Sequence, residues 1–203
     1  MSCEQISRRG NRLTFEPYAF VELHSDGQNL IRGWLDRASA LTSEDQVFER
    51  FIFAWVAFNA WAECVVPDSK SDHDYLRSLA ETPEVAKAFE SRVDSRLLKT
   101  FAAAWPIFRA QEVVRRSLVS TSKSREERRE VLLAKKVEHE PSCWSTHSGK
   151  PPSDWRHTLY ALYRVRCNLF HGQKSFHIEN DRNIVNRASA VLLPAVDALV
   201  RVG

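Results

Sequence analysis

Between Phe51 and Ala62 the chain reads FIFAWVAFNAWA, apolar on every face of a helical wheel except at Asn59. A helix of that kind has to be enclosed, either by lipid or by the rest of its own chain. The stretch falls short of the roughly 18 apolar residues a membrane span needs. A buried central helix is therefore expected, with the other elements wrapped around it. Thr42-Ser43-Glu44-Asp45 places capping hydroxyls and acids just upstream, so the helix is expected to start there and run to about Val65, ahead of Pro67. A chain of 203 residues is long enough to enclose it in one domain.

Apolar residues recur at helical rather than alternating spacing through most of the remainder, and 6 glycines and 8 prolines leave few interruptions. The fold class expected is all-α, a helical bundle with additional helices. Residues 1–25 alternate loosely in RLTFEPYAFVEL and read as an N-terminal arm, with one helical domain over 26–203. Helices are expected near Gln28 to Leu41, His73 to Glu81, Pro83 to Val93, Ser95 to Trp105 and Asn180 to Val202, the last kinked at Pro194. Arg109 to Lys136 is rich in Arg and Lys. It reads as a solvated helical hairpin or as a phosphate-binding flank, since Glu112, Glu126, Glu127 and Glu130 dilute the positive charge. His139 to Pro152 reads as a loop. Ser153-Asp154 should cap a helix from Trp155 to about Phe170, ended by Gly172.

On that late helix Leu159, Leu162, Tyr163, Leu169 and Phe170 form an apolar stripe, and Arg166 falls inside it. A guanidinium aimed at a core or an interface is costly to desolvate unless it is paired or used. A carboxylate of Asp45, Glu49 or Glu63 would make it merely structural. His171 follows five residues later at the helix end, and Arg164 and Asn168 share a face with it. Arg-x4-His spacing taken alone is of the frequency that chance provides in so arginine-rich a chain.

The context makes the spacing informative. LYRVRCNLFHGQK, at 162–174, resembles the Arg-x4-His motif of HEPN-domain proteins, and FERFIFAWVAFNAW, at 48–61, is similar to the central helix that precedes the motif in several members. The resemblance runs in helical order from about residue 44 to the C-terminus. It implies a HEPN-like antiparallel bundle, with Arg166 and His171 as the catalytic pair of a metal-independent endoribonuclease. It also implies an RNA target, a toxin or antiviral-defence role, and a restraining antitoxin or partner effector. The family commonly has Asn, Asp or His after the motif arginine; here Cys167 stands there, with Asn168 next. His171-Gly172-Gln173 also departs from the His-x-Tyr of members paired with a nucleotidyltransferase. The alternative is a non-catalytic RNA-binding or protein-interaction module in which Arg166 is a structural charge.

The residue types suit RNA cleavage on their own terms. RNA carries its nucleophile, the 2′-hydroxyl, so the reaction needs a base, an acid and positive charge on the phosphorane. Imidazole titrates near neutrality and a guanidinium stays charged. One Arg–His pair is half of a base-and-acid set, which points to a homodimer; Ile184, Ala188, Val191, Leu192, Ala195 and Leu199 offer a further apolar face for it. Arg164, Asn168, Lys174 and Trp144 are the supporting or RNA-contacting candidates, Trp144 by stacking on a base. His139, Cys143 and His147 are spaced as weak metal ligands in a segment that Pro141 keeps from being helical, and no metal or cofactor is expected. A net charge of +3 permits a polyanionic partner. The polar N-terminus MSCEQISRRG lacks the apolar run of a secretion signal, so a cytoplasmic location and four reduced cysteines are expected.

Overall fold

A computed structural model describes residues 13–115, 124–144 and 153–201. The described chain is all-α apart from one pair of two-residue strands. In order it forms α1 (Ala19–Glu22), α2 (Ser25–Ala40), a 3-10 turn (Glu44–Gln46), α3 (Val47–Val65), α4 (Asp72–Ala80), α5 (Pro83–Arg92) and α6 (Ser95–Ala102). There follow β1 (Ile107–Phe108), α7 (Ala110–Arg115), α8 (Arg125–Ala134), β2 (His139–Glu140), α9 (Trp155–Phe170) and α10 (Glu179–Val200).

The apolar run builds the centre as its composition requires. Phe51, Ala54, Trp55, Ala57, Phe58, Trp61 and Ala62 of α3 are buried, and no residue from Phe51 to Ala62 is exposed. α2 and α10 pack along α3, and α4, α5 and α9 complete the enclosure. Asn59 is half-buried and satisfied at the edge of the core, donating to Glu63 Oε1 (2.8 Å) and accepting from Tyr75 Oη (2.6 Å). Burial raises the Tyr75 phenol above its ordinary pKa, so it stays a neutral donor. Arg50 bridges α3 to α10 through Asn186 Oδ1 at 2.7 Å. The capping tetrapeptide behaves differently from the expectation: Ser43 turns its hydroxyl to Asp45, and Glu44–Gln46 makes a 3-10 turn before the α-helix starts at Val47.

Three further expectations change. Ala188, Val191, Leu192, Ala195 and Leu199 of α10 are fully buried within their own chain, so the face read as a dimer surface is the core. Their spacing reports burial without saying against what. α10 is also long and apolar enough to cross a membrane by length and composition, but most of that window packs inside the protein, as in the core helix of a soluble domain. The segment His139 to Pro152 is not wholly loop, because His139 and Glu140 pair antiparallel with Phe108 and Ile107. Of the arm, residues 1–12 lie outside the described residues; Leu13 and Phe15 pack on the core and Phe20 is buried.

Candidate functional site

The geometry of α9 explains why the site sits where it does. At the N-terminus Asp154 accepts from the His157 backbone N–H (3.1 Å) and from His157 Nδ1 (2.6 Å). Burial works against its ionisation, but these hydrogen bonds outweigh it and hold the carboxyl below the usual aspartate range. At the C-terminus Gly172 takes φ of 66°, Gly172 N–H donates to Leu169 O (3.0 Å) and Gln173 N–H donates to Asn168 O (2.8 Å). This is a Schellman closure, and the left-handed φ is why glycine stands at 172. His171 is the capping residue. Its backbone is locked by its own N–H bonding to Cys167 O (3.0 Å), while its side chain is exposed.

Arg166 leaves the opposite side of the same helix end. Its Nη2 lies 3.1 Å from Asp72 Oδ2, at the first residue of α4, and the side chain is 24% exposed. The guanidinium lies over the rings of Phe170 (4.9 Å) and Tyr163 (5.9 Å). Its Nε is buried without a hydrogen-bond partner. The partner is thus Asp72 and none of Asp45, Glu49 and Glu63, because Arg166 lies toward the start of α4 and away from the acids of α3. No signal in the sequence shows that α4 begins beside residue 166. The stripe also divides: Leu159 and Leu162 are in the core, whereas Phe170 is half exposed. Among the described residues no hydrogen bond joins Arg166 to His171.

No family model, curated protein or solved structure matches this chain. The site is therefore read from its own geometry and from the motif.

The four supporting candidates are placed in structural contacts. Asn168 is 1% exposed and donates from Nδ2 to Phe108 O (2.9 Å), while its Oδ1 accepts from Ala110 N–H (3.4 Å). It fastens β1 and α7 to α9 and does not face solvent. Arg164 Nη2 is 3.2 Å from both Glu138 and Glu140. Burial raises the Glu140 carboxyl above the usual glutamate range, although Arg164 pulls the other way. Glu138 ends below that range, because Arg109 and Arg164 together overcome the opposing effect of burial. Lys174 Nζ is 2.6 Å from Asp181 Oδ1, and Ser175 N–H donates to Asp181 Oδ2 (2.9 Å). Trp144 packs edge-on against Trp105. The polar face read from 164, 168 and 171 is thus mostly the seat of the segment between α6 and α9, and His171 alone of the three is open to solvent.

The weak metal triplet does not assemble among the described residues. His139 packs against Trp105 and Phe108, and His147 lies outside the described residues. Cys143 Sγ is 3.1 Å from His157 Nε2. Cys64 and Cys167 are free thiols, whereas Cys143 is disulfide-bonded, which corrects the expectation of four reduced cysteines; spacing along the chain does not show which thiols folding brings to bonding distance.

Proposed function

We propose that the protein is a metal-independent endoribonuclease in which His171 moves the proton of the reacting hydroxyl and Arg166 stabilises the phosphorane. One observation carries the reading. A single helix end presents an exposed imidazole on a locked backbone together with a partly exposed guanidinium. A fixed backbone lowers the cost of orienting the imidazole, and a permanently charged guanidinium suits the oxygens of a phosphorane. The 2′-hydroxyl attacks phosphorus, its proton passes to the base, and the 5′-oxygen leaves with a proton from an acid. One chain supplies one such imidazole, so a second copy is proposed to complete the set. The motif resemblance extends the proposal to a toxin or antiviral-defence effector restrained by an antitoxin or partner effector.

A second reading is favoured by the Arg166–Asp72 contact, which spends part of the guanidinium on holding α4. It makes the protein a non-catalytic RNA-binding or protein-interaction module. Incubation of mixed RNA with the protein in EDTA separates the two. Cleavage that leaves 2′,3′-cyclic phosphate ends, spares DNA and disappears in His171→Ala is the expected result. RNA that stays intact while bound favours the module, and products with 5′-phosphates that require magnesium refute the mechanism.

A further inference from the structure

The segment between α6 and α9 folds against the start of α10 around a cavity of about 630 Å³. Its apolar lining comes from Trp105, Ile107, Phe108 and Leu132, with Ile184 contributed by α10. Arg125, Arg128 and Arg129, on successive turns of α8, supply its charge. Arg125 donates to Ala103 O, but Arg128 makes no ion pair among the described residues. Of the two acids that line the cavity, Asp181 is neutralised by Lys174, which leaves Glu126; outside the lining, Glu130 pairs with Arg129 at 3.4 Å.

Two of the lining groups are polar atoms with nothing to bond. Trp105 is 5% exposed and its indole N–H has no acceptor among the described residues. Arg129 Nε is buried and equally unpartnered. Apolar walls beside a rim of arginines are the complement of an aromatic ring that carries a negative charge.

We infer that this cavity seats one nucleotide of single-stranded RNA, its base against the Trp105, Ile107 and Phe108 wall and its phosphate at Arg128 and Arg129. The inference rests on the ribonuclease reading for its place in the reaction. Gln173 and Lys174 line the cavity, and chain geometry holds the Lys174 Cα within about 11 Å of that of His171. An occupied cavity therefore fixes the register of the strand relative to the reacting phosphate, which makes it the specificity pocket for a flanking base.

The test uses the full chain and a labelled 2′-O-methyl oligoribonucleotide, which lacks the attacking hydroxyl and cannot be cleaved. One abasic residue is walked along it and binding is followed by fluorescence anisotropy. Affinity should fall about tenfold at one position, as the loss of one stacked base does, and much less elsewhere. In the Arg128→Ala/Arg129→Ala variant overall binding should weaken about tenfold. A flat abasic scan, or a double variant that binds like the wild type, overturns the inference. The two readings fail separately. Cleavage in EDTA with a flat scan leaves the ribonuclease and removes the nucleotide site, whereas a positional dip without cleavage keeps the site and removes the ribonuclease.

Discussion

Asn168→Ala is the substitution that most sharply separates a structural from an RNA-contacting role at the motif. The side chain is buried, and its truncation leaves Phe108 O without its 2.9 Å donor and Ala110 N–H without its 3.4 Å acceptor. The first bond is well formed and the second is long, so they do not count equally. Unsatisfied buried groups cost about 1–3 kcal/mol each. Phe108 and Ala110 are only partly buried, which lets water recover some of that loss. A net destabilisation of about 2 kcal/mol follows, which in a chain of this size lowers Tm by roughly 4–8 °C. Urea unfolding measures the first figure. Amide hydrogen exchange localises it, since protection at Ala110 should fall while that of α3 is unchanged. A variant within about 0.5 kcal/mol of the wild type that still loses RNA cleavage would refute the reasoning and return Asn168 to the substrate.

Other outcomes follow from the charges around α9. Arg164→Ala strands Glu138 and the buried Glu140 opposite each other; because burial already raises the Glu140 carboxyl, its ionisation costs stability as pH rises through the raised folded pKa. The deficit relative to wild type should be larger at about pH 7.5 than at about pH 4.5, and equal urea midpoint shifts at both would contradict it. Asp154→Asn keeps a capping oxygen but removes a carboxylate held below its ordinary range; that carboxylate stabilises the fold above the unfolded aspartate pKa and loses its effect as pH falls through the lower folded value. The variant should therefore melt below wild type at neutral pH and converge with it in acid, as read by Tm against pH. Mixing Arg166→Ala chains with His171→Ala chains should restore cleavage if one site draws its arginine and histidine from two copies, and inactive mixtures of folded chains would exclude that arrangement.

How far the fold could be read in advance depends on whether the signal was local. The run at 51–62 has one physical solution, burial, and α3 follows from it. The ends of α9 were equally legible: Asp154 is a capping side chain, and Gly172 is the residue that a left-handed closure demands. Arg164, Asn168 and His171 read as a polar cluster because helical spacing shows which residues share a face without showing what covers it. Only the pairing of Ile107–Phe108 with His139–Glu140 brings that cover into place, and two-residue strands carry no periodicity to detect. Asp72 was missed for the same reason, since its contact with Arg166 joins residues 94 positions apart through the packing of α4 on α9.

The chain leaves the bundle after α6 and returns to it at α9, and what it builds in between has a small apolar nucleus of its own. Trp105, Leu132 and Val137 are buried but stand apart from the main core, which Ile107 alone of the buried side chains between Ala103 and Trp144 joins. α9 thus lies between two apolar clusters of unequal size. The lesser of them covers the side of α9 that carries Arg164 and Asn168, a few residues short of His171.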